Sequence, residues 1–215
     1  MVSVVSEVEL STLAEGTRDL RERLEAILEV RDARVVLLDA TGEQGTAEFE
    51  NELFGFLITY ELPVVFAFEG PLKGPIAELA LAADVRVCSS SASLQGRFHS
   101  NSRVSTLADQ DVALRLFIGR APVSAAELLQ AGLVSSLTAP GEALAGARRV
   151  ASVIASRGPI ATRLAKEAIW RGLGQPLPQA LRFETDLTLL LQTTKDRAEG
   201  VRAFLEKRAP NFTGE

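Results

Sequence analysis

Side chains able to run proton-transfer or nucleophilic chemistry from an apolar setting are few in this sequence. It holds one histidine, His99, and one cysteine, Cys88. One of each cannot assemble a usual zinc ligand set and permits no internal disulfide. Cys88 lies in Val85-Arg86-Val87-Cys88 and reads as a small buried side chain on a strand, because a nucleophilic thiol needs a base beside it. Glu78 is the carboxylate that stands out. It sits among Ile76, Ala77, Leu79, Ala80 and Leu81, so an acidic group is carried into apolar company, where it could exchange a proton with a substrate or hold a water. A second reading stays open, since a glutamate in the first turn of a helix is favoured by the helix dipole and could cap its own helix end. His99, beside Ser100-Asn101-Ser102, has an unperturbed pKa of about 6.5. It is either a proton-transfer group or a surface loop residue.

The elements that must position Glu78 can be read from Leu62 to Ser90. Val64 to Phe68 is a continuous apolar run suited to a strand covered on both faces. Gly70 and Gly74 break it, Pro75 stands where a helix begins, and Ile76 to Ala83 supplies helix formers. The amides of Gly74, Ile76 and Ala77 then lie at a helix start, a place that favours an anion.

The formal charge is −5, and the chain is 47% apolar and 24% charged. Those proportions describe an ordinary globular protein and give no basic surface for nucleic acid. No run of about 18 apolar residues is present, and the first residues lack a basic segment before an apolar stretch, so the expectation is a cytoplasmic protein with no membrane span.

Elsewhere the leucines at 10, 13, 20, 24 and 28, with Ile27, set a helical period over residues 7–29, which leaves at most Val2 to Val5 for an additional strand before it. Val35 to Leu38 reads as a buried strand. Helices are predicted over 113–119, 124–131, 142–156, 159–170, 180–191 and 197–208, with a short strand at 133–137. Leu181, Leu187, Leu190 and Leu191 form a wide apolar face. Two regions follow: a core over 1–140 and a helical region over 141–215.

Residues 70–84, GPLKGPIAELALAAD, are similar to the enoyl-CoA hydratase/isomerase (crotonase) signature GPALGGGCELALACD, without a gap. Residues 199–212 resemble that family's closing EG..AF.EKR.P.F, and VSAAELLQAGLV (123–134) and RVVLLDATG (34–42) also match. The resemblance implies an α/β spiral of stacked ββα turns followed by a helical trimerisation region, hence a homotrimer or a dimer of trimers. It further implies an acyl-CoA or acyl-carrier thioester as partner, and no cofactor beyond coenzyme A as part of the substrate. Glu78 matches one of two carboxylates the family uses. Phe204 and Lys207 match residues that stack on the adenine and reach a phosphate of the coenzyme.

Against that pattern the chain departs at three places. Pro75 occupies the position whose amide donates to the thioester oxygen, and proline has no N–H. The ungapped position of the second carboxylate is Phe98, which cannot transfer a proton, with His99 as its neighbour. The loop after Gly42 and the segment 99–112 are shorter than the family's, and Gly45-Thr46-Ala47-Glu48 is the only echo of the AGAD loop that supplies the other oxyanion amide, at Ala47. The resemblance therefore implies a thioester site centred on Glu78 in which ordinary hydration is impaired, or a silent scaffold that has kept the fold.

Overall fold

The computed structural model describes residues 4–12, 16–42, 51–96, 110–118 and 121–215. Its centre is a parallel sheet in the order β1 (Val5–Glu9), β2 (Val35–Ala40), β3 (Val64–Phe68), β5 (Val85–Ser89) and β8 (Ser136–Thr138). Every residue of β2 and β3 is buried, because the sheet is covered on both faces. Alternation decides which side chain goes where. Val36, Leu38, Val64, Phe66 and Phe68 share one core with Leu20 and Leu24 of α1 (Thr17–Leu28), Leu53 and Leu57 of α2 (Asn51–Thr59) and the apolar side chains Ile76 to Ala82 of α3 (Pro75–Ala82). Val35, Leu37, Val65, Ala67 and Val87 face the other way, onto Ala147, Ala151 and Ala155 of α6 (Ala143–Ala155). So α6, beyond the boundary expected at residue 140, covers the second face of the sheet.

A smaller sheet pairs β4 (Pro71–Lys73) with β6 (Ser93–Gln95) in parallel, and β6 with β7 (Val123–Ser124) antiparallel. The repeat is visible in this pairing. β3-β4-α3 and β5-β6-α4 (Gln110–Phe117) each give one strand to each sheet and then a helix, with β3 beside β5 and β4 beside β6. That is a spiral of ββα turns. After α5 (Ala125–Gln130), started by a capping box between Ser124 and Glu127, the chain returns to β5 through β8. Beyond α6 follow α7 (Pro159–Gly172), α8 (Leu177–Gln192) and α9 (Lys195–Glu206).

One expectation is corrected. The helix predicted over 7–29 begins only at Thr17, and Val5–Glu9 is a strand paired in register with Val35–Asp39. The first leucine of the apparent helical period belongs to other structure, and Leu13 lies outside the described residues. Leu10 is in a single 3-10 turn, and the strand's partner lies 30 residues away in sequence, where periodicity cannot see it.

Candidate functional site

Gly74 starts α3 with φ +63° and ψ −139°, a backbone conformation that L side chains avoid. Its N–H donates to Gln95 O at 3.3 Å, joining the helix start to β6, and its carbonyl accepts from the amides of Ala77 (3.0 Å) and Glu78 (3.3 Å). Pro75 at the first helical position has no N–H. The anion site expected from Gly74, Ile76 and Ala77 is thereby narrowed. The Gly74 and Ala77 amides are engaged inside the chain, and Ile76 N–H has no partner among the described residues.

Glu78 is 4% exposed, and all of Ile76 to Ala82 is buried with it. An ionised carboxylate in such surroundings costs several kcal/mol unless it is paired or hydrogen-bonded, so the position is a demanding one for an acid. The structure brings Gly74, Ile76, Ala77 and Glu78 together at one helix mouth. Ala47, Phe98 and His99 lie outside the described residues.

The far end of α3 is fastened by charges. Buried Arg86 donates to the carbonyls of Ala80, Ala83 and Leu133, capping the last turn. Burial pulls its pKa down to about 10, opposed by Asp84 nearby, so it stays protonated at neutral pH. Asp84 follows α3 and gathers three donors from two elements, β3 and α7. It accepts from Val64 N–H (2.8 Å) and Trp170 Nε1 (2.6 Å), and it pairs with Lys166 Nζ at 2.6 Å. Lys166 also donates to Leu62 O at 2.9 Å. This cluster attaches α7 to the start of β3 and the end of α3. At the opposite end of β3, Glu69 accepts from Gly141 N–H (2.9 Å) and Ala143 N–H (2.7 Å) and so caps α6. Sequence reading missed all of these. The only local signals were an acid directly after an apolar helix and a lone basic residue inside an apolar strand.

Phe204 and Lys207 sit on a separate part of the molecule. Phe204 on α9 is 82% exposed and is not a core residue of this chain. Lys207, at the helix end with φ +54°, is exposed as well. Phe204 borders an apolar groove of about 330 Å³ between α7, α8 and α9, lined also by Gly158, Ala161, Leu191, Val201 and Phe212. No residue of α3 lines that groove. Among the described residues no cluster of three metal-ligating side chains occurs, and no helix is long and apolar enough to cross a membrane. Cys88 is buried, and that burial, with Glu69 near it, pushes its thiol up to about 12, far from a nucleophile's range.

Residues 32–215 match the sequence model of the family described as enoyl-CoA hydratase/isomerase. The chain belongs to this family. It is 32% identical over 167 residues to the short-chain-enoyl-CoA hydratase of Clostridium acetobutylicum, a match covering 74% of this chain and 64% of that protein. It is 31% identical over 171 residues to the crotonyl-CoA hydratase of Syntrophomonas wolfei, covering 75% and 66%. The chain thus spans under two thirds of the length of these curated relatives. A crystal structure of an enoyl-CoA hydratase from Bacillus anthracis superposes with a TM-score of 0.83 at 28% identity, covering 100% of this chain and 98% of that one. The ββα spiral with helices after it is therefore the crotonase fold, as the motif at 70–84 implied.

Proposed function

We propose that this family member binds an acyl-CoA or acyl-carrier thioester and stabilises its enolate at the start of α3, with Glu78 as the acid/base or water-positioning group. The observation that carries the reading is a glutamate 4% exposed in the first turn of an otherwise apolar helix. In an enolate step, a bond to the α-carbon breaks and its electron pair moves onto the thioester oxygen. Either a base takes the α-proton or, for an α-carboxylated thioester, carbon dioxide leaves. Ile76 N–H is the amide at that helix mouth left to meet the developing oxyanion, and Glu78 returns the proton to the α-carbon. Decarboxylation needs one such acid, whereas hydration moves one proton off water and another onto carbon. With Phe98 at the matched second position, and a lost oxyanion donor costing on the order of 100- to 1000-fold in rate, the reading favours the one-acid reaction and leaves crotonyl-CoA hydration as a residual activity.

Phe204 and Lys207 would hold the adenine and a phosphate. The exposed Leu177, Leu181 and Leu190 of α8 support assembly into a homotrimer or a dimer of trimers. Titration with CoA and a short acyl-CoA should give saturable binding, and Glu78→Gln should abolish turnover while leaving that binding in place. A competing reading, a silent scaffold, is favoured by one observation: two of the amides at the helix mouth are committed within the chain and a third position is proline. Under it acyl-CoA binds weakly or not at all and Glu78→Gln changes nothing but stability. Robust hydration of crotonyl-CoA would refute the silent scaffold and the reading of Pro75 and Phe98 that favours the one-acid reaction.

A further inference from the structure

Asp196, in the first turn of α9, is only 4% exposed. Among the described residues it has no ion-pair partner. Its carboxylate accepts from the backbone amides of Thr213 (2.7 Å) and Gly214 (3.0 Å), and its own N–H donates to Glu215 O at 3.0 Å. The segment 211–215 is thus folded back over the start of the helix that precedes it. Other groups fasten the same segment from outside. Arg34, directly before β2, donates to Phe212 O at 2.6 Å and to Ala155 O at 3.1 Å. Lys195 (2.6 Å) and Arg31 (3.3 Å) pair with Glu215. The Phe212 ring lies against Gly158 and Gly200, wedged between the start of α7 and α9. Gly214 has φ +77°, and a Cβ there would stand 3.3 Å from Pro159 Cγ, so the path admits little else.

We propose that residues 211–215 are a clip, fastened by Asp196, that ties α9 to the spiral and sets the direction in which it presents Phe204 and Lys207. The physical reason is one of rigidity. Val201, Phe204 and Leu205 of α9 are exposed, so the helix has little apolar burial of its own on that side. Charge-assisted bonds to backbone amides, which are stronger than neutral ones, do what packing does elsewhere. Asp196 is then a positioning residue acting through α9. Its consequence for ligand binding rests on the coenzyme reading given above.

The test compares wild type, Asp196→Ala, Phe204→Ala and the double variant by amide hydrogen exchange and by titration with CoA and a short acyl-CoA. Asp196→Ala should raise exchange about tenfold or more in 211–215 and along α9 while leaving β2 and β3 unchanged. It should weaken thioester binding about as much as Phe204→Ala does, with the double variant no weaker than either. Gly214→Ala, which strains the segment without removing the carboxylate, should reproduce the exchange pattern and keeps the test open if Asp196→Ala does not fold. Unchanged exchange in α9 overturns the clip. Raised exchange with undiminished affinity, where Phe204→Ala does weaken binding, overturns the positioning role. If exchange rises but even wild type ignores CoA, the coenzyme reading falls and the clip stands.

Discussion

Removing the Asp84 carboxylate should destabilise the protein more than any single surface ion pair could. Asp84 and Lys166 are 15% and 7% exposed at the side chain, and their 2.6 Å contact is accompanied by the Val64 amide and the Trp170 indole on the same carboxylate. In Asp84→Ala three donors lose an acceptor at once, one of them a buried ammonium. Stranding one member of a buried pair costs about 3–5 kcal/mol, and the partial exposure of Asp84 places the expectation at the lower end, about 3 kcal/mol. For a chain of this size that lowers the melting temperature by roughly 6–12 °C, at about 2–4 °C per kcal/mol. Lys166→Met should cost less, because the carboxylate keeps two of its donors. The two losses overlap, so the double variant should fall short of their sum by about 1–3 kcal/mol. Trp170 is the one tryptophan of the chain and lies in the cluster, so its fluorescence during urea unfolding, checked against far-UV circular dichroism, reads both the local site and the whole fold. A loss below about 1 kcal/mol for Asp84→Ala, or strict additivity in the double variant, would show that the cluster does not hold α7 to the spiral.

Three further outcomes are expected. Pro75→Gly restores an amide at the helix mouth and should raise turnover of an acyl-CoA thioester by up to about 100-fold; an unchanged kcat with intact binding would remove proline from the account of impaired chemistry. Cys88 should resist a thiol reagent in the native state and react on unfolding. Because burial raises its folded pKa to about 12, the native state keeps a proton that the unfolded chain releases from about pH 9. Stability should therefore hold below about pH 9 and fall toward pH 12, and Cys88→Ala should remove up to about 1.4 kcal/mol per pH unit of that slope. If the proposed trimer forms through this face, Leu181→Asp with Leu190→Asp should convert it to monomers in sedimentation analysis; an unaltered mass would show that this face is not the assembly surface.

Much of the frame was legible in the chain. Val64–Phe68 and the proline-initiated helix after Gly74 lie where the apolar run, the glycine breaks and Pro75 placed them, because each is governed by local backbone preference. Glu78 was visible as an acid in apolar company, and its burial agrees with that. The motif at 70–84 carried the family. What local pattern misjudged was the end of β1, residues 7–9, taken into a helix, since a strand's identity at a sheet edge depends on a partner remote in sequence.

The sequence by itself determined the helix start, its missing amide at Pro75 and the acid one turn in, because a proline ring and a residue's chemistry are the same in any fold. Only the tertiary structure decided that Gly74 gives its amide to Gln95, that Asp84 gathers Lys166 and Trp170, the latter 86 residues on, and that Asp196 holds the chain at 213–214. Each of those is a bond between groups whose meeting depends on how the spiral winds, and no local preference of either partner encodes it.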